Sequence, residues 1–476
     1  MIYILLTILL PMAAGALLPV LRAGERVRTA YVFTSVFATG VFTALSIARG
    51  ESFTLVSLAD GLDIAFSVDG ISVLFASVFA VCWLIVTVYA FTYIKHEGHE
   101  DRFFSFFLLS LGAMMALSFS ANLVTMYLSF ELATLSSMPM VLHSGTKESI
   151  SAALKYLFYS VAGALAGLFG IIFIYTYTDS GAFAYGGTLT DAGAYLHVAV
   201  FLSIVGFGTK AGMYPMHGWL PTAHPVAPAP ASSLLSGLIA KAGVLAVIRV
   251  VFYTVGSDAI RGSWVQIAWM TLAAITVVMG SMMAYREDVL KKRLAYSTVS
   301  NISYIMLGLS TLTAAGELGA ILHFIAHALA KNALFLCAGA IIYKTGKTRV
   351  SELRGTGRSM PVTMGAFTVA SLSLIGIPPL LGFTSKWYLA SSGIELGGAP
   401  AVIVPAVLII SALLTAGYLL PVIISGFFPD ADYKTDPRRE APASMIFATV
   451  VFAALSLLTG IAGGRIANLI TTVLHL

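Results

Sequence analysis

Apolar stretches of about twenty residues follow one another along almost the whole chain, and this repetition narrows the folds open to it. A run of that length matches, as an α-helix, the ~30 Å hydrocarbon thickness of a bilayer. Hydrocarbon leaves no solvent partner for the backbone, so only helices and closed barrels can cross it. About fourteen such runs lie near 2–21, 29–48, 70–94, 104–120, 122–143, 155–178, 195–213, 231–254, 264–284, 294–312, 317–343, 362–394, 401–427 and 443–473. Only 10% of the 476 residues are charged and the mean hydropathy is +0.91, whereas soluble domains carry roughly a quarter charged residues. The expected class is an all-α polytopic membrane protein, one integral membrane domain over 1–476. Its first run has no basic residue ahead of it and is long enough to span, so it reads as an uncleaved helix.

Loop charge tests that count. Odd-numbered loops hold Arg22, Arg26, Arg28, Lys95, Arg102, Lys147, Arg286, Lys291, Lys292 and Arg293, then Lys344, Lys347, Arg349, Arg354, Arg358, Lys434, Arg438 and Arg439. Even-numbered loops offer little beyond Arg49 and Arg261. The positive-inside rule makes the odd loops cytoplasmic and both termini external, in a prokaryotic cytoplasmic (inner) membrane. The net charge of +5 is therefore a topology signal, and nucleic acid is not an expected partner. Cys82 and Cys337 fall mid-helix without ligand spacing and read as small buried hydrophobes. No CxxC, GxGxxG or Walker sequence lies in a loop, so neither a cofactor nor a metal is expected on this chain. Any redox chemistry belongs to a partner.

Two spans are interrupted. Residues 210–241 read KAGMYPMHGWLPTAHPVAPAPASSLLSGLIAK, placing Lys210 and Lys241 in flanking helices around a link with His217, Trp219, His224 and five prolines. In span twelve, Gly376, Pro378, Pro379 and Gly382 precede Lys386 and Trp387. Proline removes a backbone hydrogen bond and breaks or kinks a helix. Lysine at membrane depth costs at least about 2.5–3.5 kcal/mol and by default marks an ion path. Five spans separate the breaks, and an odd offset reverses direction across the membrane. Spans four to eight (104–254) and nine to thirteen (264–427) thus form an expected inverted repeat, flanked by 1–103 and 443–476. Simple kinks are the competing reading.

Glu131 stands alone in LVTMYLSFELATLSS, well inside its span. An isolated carboxylate there would be neutral unless a cation sits nearby, and Lys210 is the best partner. Such a pair lets proton affinity change as the two approach or recede; a structural salt bridge is the alternative. Burial disfavours the charged form of lysine, which suits Lys210, Lys241 and Lys386 to loading and unloading protons. Lys210 and Lys386 also suit capping of broken-helix carbonyls. In HFIAHALAKNALF, His323, His327 and Lys331 share one helical face at successive i+4 spacing, fit for a proton relay and poor in metal ligands. Ser300, Asn301, Ser303 and Tyr304 suit a hydrated channel, and His217 and His224 suit a half-channel. His143 reads as interface decoration, and His96 and His99 as part of a solvated loop.

These motifs resemble one family. MHGWLPTAHPVAPAPASSLLSGLIAK is similar to the signature of the antiporter-like subunits of respiratory complex I, membrane-bound energy-converting hydrogenases and Mrp-type cation/proton antiporters. LSFELATLSS resembles the family's fifth-helix motif, KKRLAYSTVSNISYIMLG its tenth, HALAKNALF its eleventh and GIPPLLGFTSKW its broken twelfth. The similarity covers about residues 70–425. It implies fourteen helices, two inverted five-helix units and broken helices 7 and 12. It implies Glu131 and Lys210 as a coupled pair, Lys241 as central relay and Lys386 as terminal proton residue, bridged by His323, His327 and Lys331. Asn301 departs from the ring or longer amide expected there, and Lys386 replaces a glutamate of one complex I branch. The implied partners are other membrane subunits, including homologous antiporter-like and small multi-spanning ones, with protons and, in the Mrp alternative, sodium as the ion. A non-pumping scaffold and a solute transporter are rival classes. The chain itself would be the ion-translocating subunit of an oxidoreductase (translocase) assembly, with no redox chemistry of its own.

Overall fold

Each apolar run closes its backbone hydrogen bonds on itself. In the computed structural model, which describes residues 1–476 except 23, 60, 179–180, 190–192, 194, 431–436, 438 and 476, the chain is a succession of helices. They are α1 (Ile2–Leu21), α2 (Glu25–Arg49), α3 (Gly70–Glu97), α4 (Glu100–Phe119), α5 (Leu123–Val141), α6 (Lys147–Tyr175), α7 (Leu196–Lys210), α8 (Leu220–Val226) and α9 (Ala229–Val255). There follow α10 (Trp264–Arg286), α11 (Leu290–Ser310), α12 (Ala314–Thr345), α13 (Pro361–Ile375), α14 (Leu381–Leu396), α15 (Pro400–Phe427), α16 (Ala443–Ile461) and α17 (Gly463–Leu474). Among the described residues ten helices are long and apolar enough to cross a membrane. The shorter apolar helices α7 and α13 are the first halves of the two interrupted spans. Lys434 and Arg438, counted above among the loop charges, lie outside the described residues.

The helices pack as two compact units. The first comprises residues 1–84, 99–219 and 239–271. Within it α4 packs against α1 and α5, and α6 lies along α7. Gly163 lets α6 and α7 touch backbone to backbone: a Cβ there would stand 2.6 Å from the Gly206 carbonyl oxygen. Small residues serve such close approach where no hydrophobic force draws helices together. This unit also holds the one departure from an all-helical chain, in the link between spans two and three. There β1 (Ser52–Ala59) pairs antiparallel with β2 (Leu62–Ser67), Phe53 opposite Phe66 with ring centroids 5.8 Å apart. Gly61 supplies the positive φ (75°) that their tight connection needs.

The second unit comprises residues 85–98, 220–238 and 272–476. Its centre is the 32-residue α12, packed on α11, α13, α14 and α16. Span fourteen, expected as one helix near 443–473, divides at Ala462 into α16 and α17. The cause is steric. Gly460 presses on the second helix break so closely that a Cβ would lie 2.4 Å from the Pro379 carbonyl oxygen. His143, expected as interface decoration, is instead buried in the first unit, edge-on to Phe103 at 5.3 Å.

Candidate functional site

At the first break α7 stops at Lys210 and the chain turns through Gly212, whose φ is 77°. A helix end leaves carbonyls without intrahelical partners. Trp219 serves one of them, its Nε1 donating to the Thr209 carbonyl at 2.9 Å, and its ring lies 4.6 Å from that of Tyr156. Lys210 is thereby left to other partners. Its ammonium, 1% exposed, donates to Thr134 Oγ1 at 2.5 Å and to the Phe130 carbonyl at 3.4 Å, and it sits 4.6 Å from the centre of the Phe130 ring. Both acceptors lie on α5. Glu131, half-buried on that same turn, interacts electrostatically with Lys210, yet among the described residues no ion pair joins them within 4.0 Å. His217 lies in the break itself, stacked on Tyr214 at 5.9 Å.

Lys241 sits in α9, fully buried. The helix around it is irregular: Leu235–Ile239 and Arg249–Val255 have π-helical hydrogen bonding, a local widening frequent at functional sites. Gly243, two residues on, lets this part of α9 meet α7; a Cβ would stand 2.4 Å from the Phe207 carbonyl oxygen. The rule that marks Lys241 applies equally to Arg249 in the same apolar helix. Arg249 is fully buried and paired with Asp69, Nη2 donating to Oδ1 at 3.0 Å, and lies 4.8 Å from both the Phe183 and Tyr253 rings. Asp69 precedes α3. Burial alone would raise its carboxyl, but the charge and hydrogen bonds of Arg249 hold it below the ordinary aspartate value.

The second break is built differently. α13 ends at Ile375, Gly376 follows with φ 92°, and Lys386 of α14 turns back to donate to the Leu374 and Ile375 carbonyls at 2.6 and 2.8 Å. Lys386 is partly buried, 5.0 Å from the Tyr304 ring centre. From there aromatic and imidazole rings continue: Tyr304 to His323 at 5.1 Å and His323 to His327 at 6.1 Å, with His323 Nδ1 2.9 Å from Ser385 Oγ. Lys331, fully buried, donates to the Leu294 carbonyl at 2.9 Å and to Ser297 Oγ at 2.8 Å. Tyr418 also donates to Ser297 Oγ at 2.8 Å and reaches Thr415 Oγ1 at 3.3 Å. Beside this chain Ser281, Ser300 and Ser411 form a closed hydroxyl triangle with sides of 2.7, 2.6 and 3.2 Å. Asn301 donates to the Ser297 carbonyl at 2.8 Å, and buried His224 stacks on Phe335 at 4.8 Å.

Each unit thus gathers part of the residues singled out by sequence. Glu131, Lys210, Lys241 and His217 belong to the first; His224, His323, His327, Lys331 and Lys386 belong to the second. Sequence reasoning missed Thr134, Ser297, Thr415 and Tyr418, because hydroxyls in apolar helices carry no local mark of the ammonium they face. Chemically, both units offer buried cations whose contacts are neutral oxygens and rings, with hydroxyls able both to accept and to donate a proton.

Comparison with known proteins follows the same lines. The transmembrane family described as NADH:quinone oxidoreductase/Mrp antiporter matches residues 120–415. NADH-quinone oxidoreductase subunit N of Desulforudis audaxviator (strain MP104C) is 34% identical over 387 residues, covering 77% of this chain and 76% of the relative. Hydrogenase-4 component B of Escherichia coli (strain K12) is 32% identical over 437 residues, covering 87% of this chain and 64% of the relative. Among solved structures, a chain of the membrane-bound sulfane sulfur reductase, an archaeal respiratory membrane complex, superposes with a TM-score of 0.88 at 21% identity, covering 100% of this chain and 97% of that one.

Proposed function

The chain belongs to the NADH:quinone oxidoreductase/Mrp antiporter transmembrane family, and from that membership we propose that it moves protons through buried groups inside a multisubunit membrane assembly. Two sets of residues carry the work: Glu131, Lys210 and Lys241 in one unit, and Lys331, His327, His323 and Lys386 in the other. Homologous antiporter-like subunits and small multi-spanning subunits are the proposed partners. Electron transfer and its cofactors belong to them, and both termini of this chain face outward. The observation that carries the reading is the setting of Lys210. A buried ammonium held by a hydroxyl, a carbonyl and a ring, one turn from a carboxylate it does not touch, has two stable arrangements within reach.

Its electrostatics supply the coupling. Bringing two unit charges from ~8 to ~4 Å strengthens their attraction by about 2 kcal/mol at an effective dielectric constant of ~20. That is a roughly thirtyfold change in proton occupancy. A conformational event in a partner that moves α5 by a fraction of a turn would therefore load or release a proton at Lys210. The Mrp side of the family favours sodium/proton exchange as a second reading.

The test uses inverted membrane vesicles of the whole assembly, wild type against Lys210→Ala, with and without sodium, while turnover of the driving reaction is recorded. Loss of proton uptake in an intact assembly supports the relay, and sodium dependence then separates the two readings. Unchanged uptake would make Lys210 structural and the subunit a scaffold.

A further inference from the structure

Helices α1 and α2 lie outside the matched residues 120–415 and contribute nothing to either proton set. Between them runs an apolar groove of about 960 Å³. On α1 it extends from Leu6 to Leu17 and on α2 from Arg26 to Ala38. At 1.5 Å per residue those stretches rise roughly 16 and 18 Å, close to the ~15 Å depth of one leaflet of a ~30 Å hydrocarbon core. The small side chains Ala13 and Ala30 leave the space, and Leu17 and Val27, 54% and 64% exposed, form its rims. Two hydroxyls in the wall are already engaged within the protein: Tyr31 donates to the Ala14 carbonyl and Ser35 to the Tyr31 carbonyl.

Charge is confined to one end. Arg26 lines the groove there, exposed and without an ion pair within 4.0 Å among the described residues. Arg28, two residues on, is paired with Glu100 and Asp101. The neighbouring charges left over are Arg22 and Glu25. A cation at the mouth of an apolar slot one leaflet deep complements an anionic head on a fatty acyl tail.

We propose that this groove holds one anionic phospholipid, its phosphate on Arg26 with Arg22 beside it and an acyl chain laid between α1 and α2. A transmembrane helix from another subunit would also fit against Ala13 and Ala30, but it brings no obligatory anion to Arg26. Charge complementarity therefore selects the lipid.

The experiment takes the membrane-extracted protein with its co-purifying subunits, exchanges it into phosphatidylcholine containing a minor fraction of phosphatidylglycerol, and counts retained lipids by native mass spectrometry. Arg26→Gln should lower phosphatidylglycerol retention about fivefold, the effect of one basic residue at an anionic surface, and leave phosphatidylcholine retention unchanged. Arg26→Lys should restore it. Ala30→Phe, which fills the groove, should lower retention of both lipids. Equal retention of the two lipids by the wild type would overturn the proposal. So would phosphatidylglycerol retention indifferent to Arg26→Gln, or a photo-crosslinker at Val27 that captures a polypeptide in place of lipid.

Discussion

At the first break Lys210 reaches across to another helix, whereas at the second Lys386 turns back on its own span. Both lie beside a glycine with positive φ and a proline-bearing turn, and both are lysines in apolar surroundings. Their contacts divide them. The carbonyl that α7 leaves open at Thr209 is taken by Trp219, so Lys210 is not needed to complete the helix end. At α13 the Leu374 and Ile375 carbonyls are taken by Lys386 itself. A cation at a helix C-terminus gains from the local dipole and carbonyls. Lys386 is thus stabilised by its own backbone, while the charge state of Lys210 depends on what α5 presents to it. The pair teaches that one motif, a lysine at a broken helix, can be wired as a fixed cap or as a responsive partner.

A third cation sets the scale against which both are judged. Arg249 is buried like Lys210 but has a permanent counter-charge in Asp69. Removing one member of a buried pair strands the other and costs about 3–5 kcal/mol. Arg249→Met should therefore give the largest loss of thermal stability of any single substitution considered, read as a fall in the melting temperature of the extracted protein. Lys210→Met, with no partner charge in contact, should cost far less. Equal losses would mean that Lys210 is ion-paired after all. Acid sharpens the same contrast. A carboxyl held below its unfolded value contributes stability that is full above that value, ~3.9 for aspartate, and is lost as pH falls through the folded value. Wild-type stability should drop below about pH 4, and Asp69→Asn should flatten that part of the profile.

Transport ranks next. Glu131→Gln keeps size and removes charge, so a responsive Lys210 should lose the roughly thirtyfold modulation set by about 2 kcal/mol of charge movement. The expected readout is proton uptake reduced by more than tenfold at unchanged assembly. Lys386→Met tests the other half. It leaves two helix-end carbonyls without their donor, at about 1–3 kcal/mol for buried polar groups left unmade. It should therefore lower stability together with transport, whereas Glu131→Gln lowers transport alone. A Lys386→Met protein of wild-type stability would place Lys386 in the responsive class.

How much of this was legible in the sequence follows from the range of each signal. Helix breaks are local: Pro215, Pro378 and Pro379 announce them, and Lys210, Lys241 and Lys386 stand out by charge against apolar neighbours. The i+4 face of His323, His327 and Lys331 needed only helical periodicity. What a buried group touches is another matter, because it is decided by tertiary packing. Asp69 meets Arg249 across 180 positions, and Tyr418 meets Ser297 across 121. Arg249 was visible by the criterion that marks Lys241, and its partner was not. The hairpin over Ser52–Ser67 escaped because a short polar-interrupted stretch has no bilayer-length run to count. The division of span fourteen escaped because Gly460 matters only once Pro379 is against it.

The smallest expected effect probes the wiring of Lys210 most directly. Thr134 Oγ1 accepts from the ammonium at 2.5 Å and itself lies 3.2 Å from the Phe130 carbonyl, so one hydroxyl links the lysine to the α5 backbone. Thr134→Val removes that link at nearly constant shape. A hydrogen bond to a charged group is worth about 1.5–3 kcal/mol when buried, and less when a neighbouring oxygen, here the Phe130 carbonyl, takes over part of it. About 1 kcal/mol, or a fivefold change in proton occupancy, is the expected remainder. Because the hydroxyl stabilises the protonated form, the proton-uptake profile of Thr134→Val should move toward lower pH by somewhat under one unit. Thr134→Ser should return it to the wild-type position. The same pair of substitutions at Ser385, which faces His323 and not Lys386, should leave the profile where it is. A shift at Ser385 equal to that at Thr134 would show both breaks to be wired alike, and the distinction between a fixed cap and a responsive partner would fall.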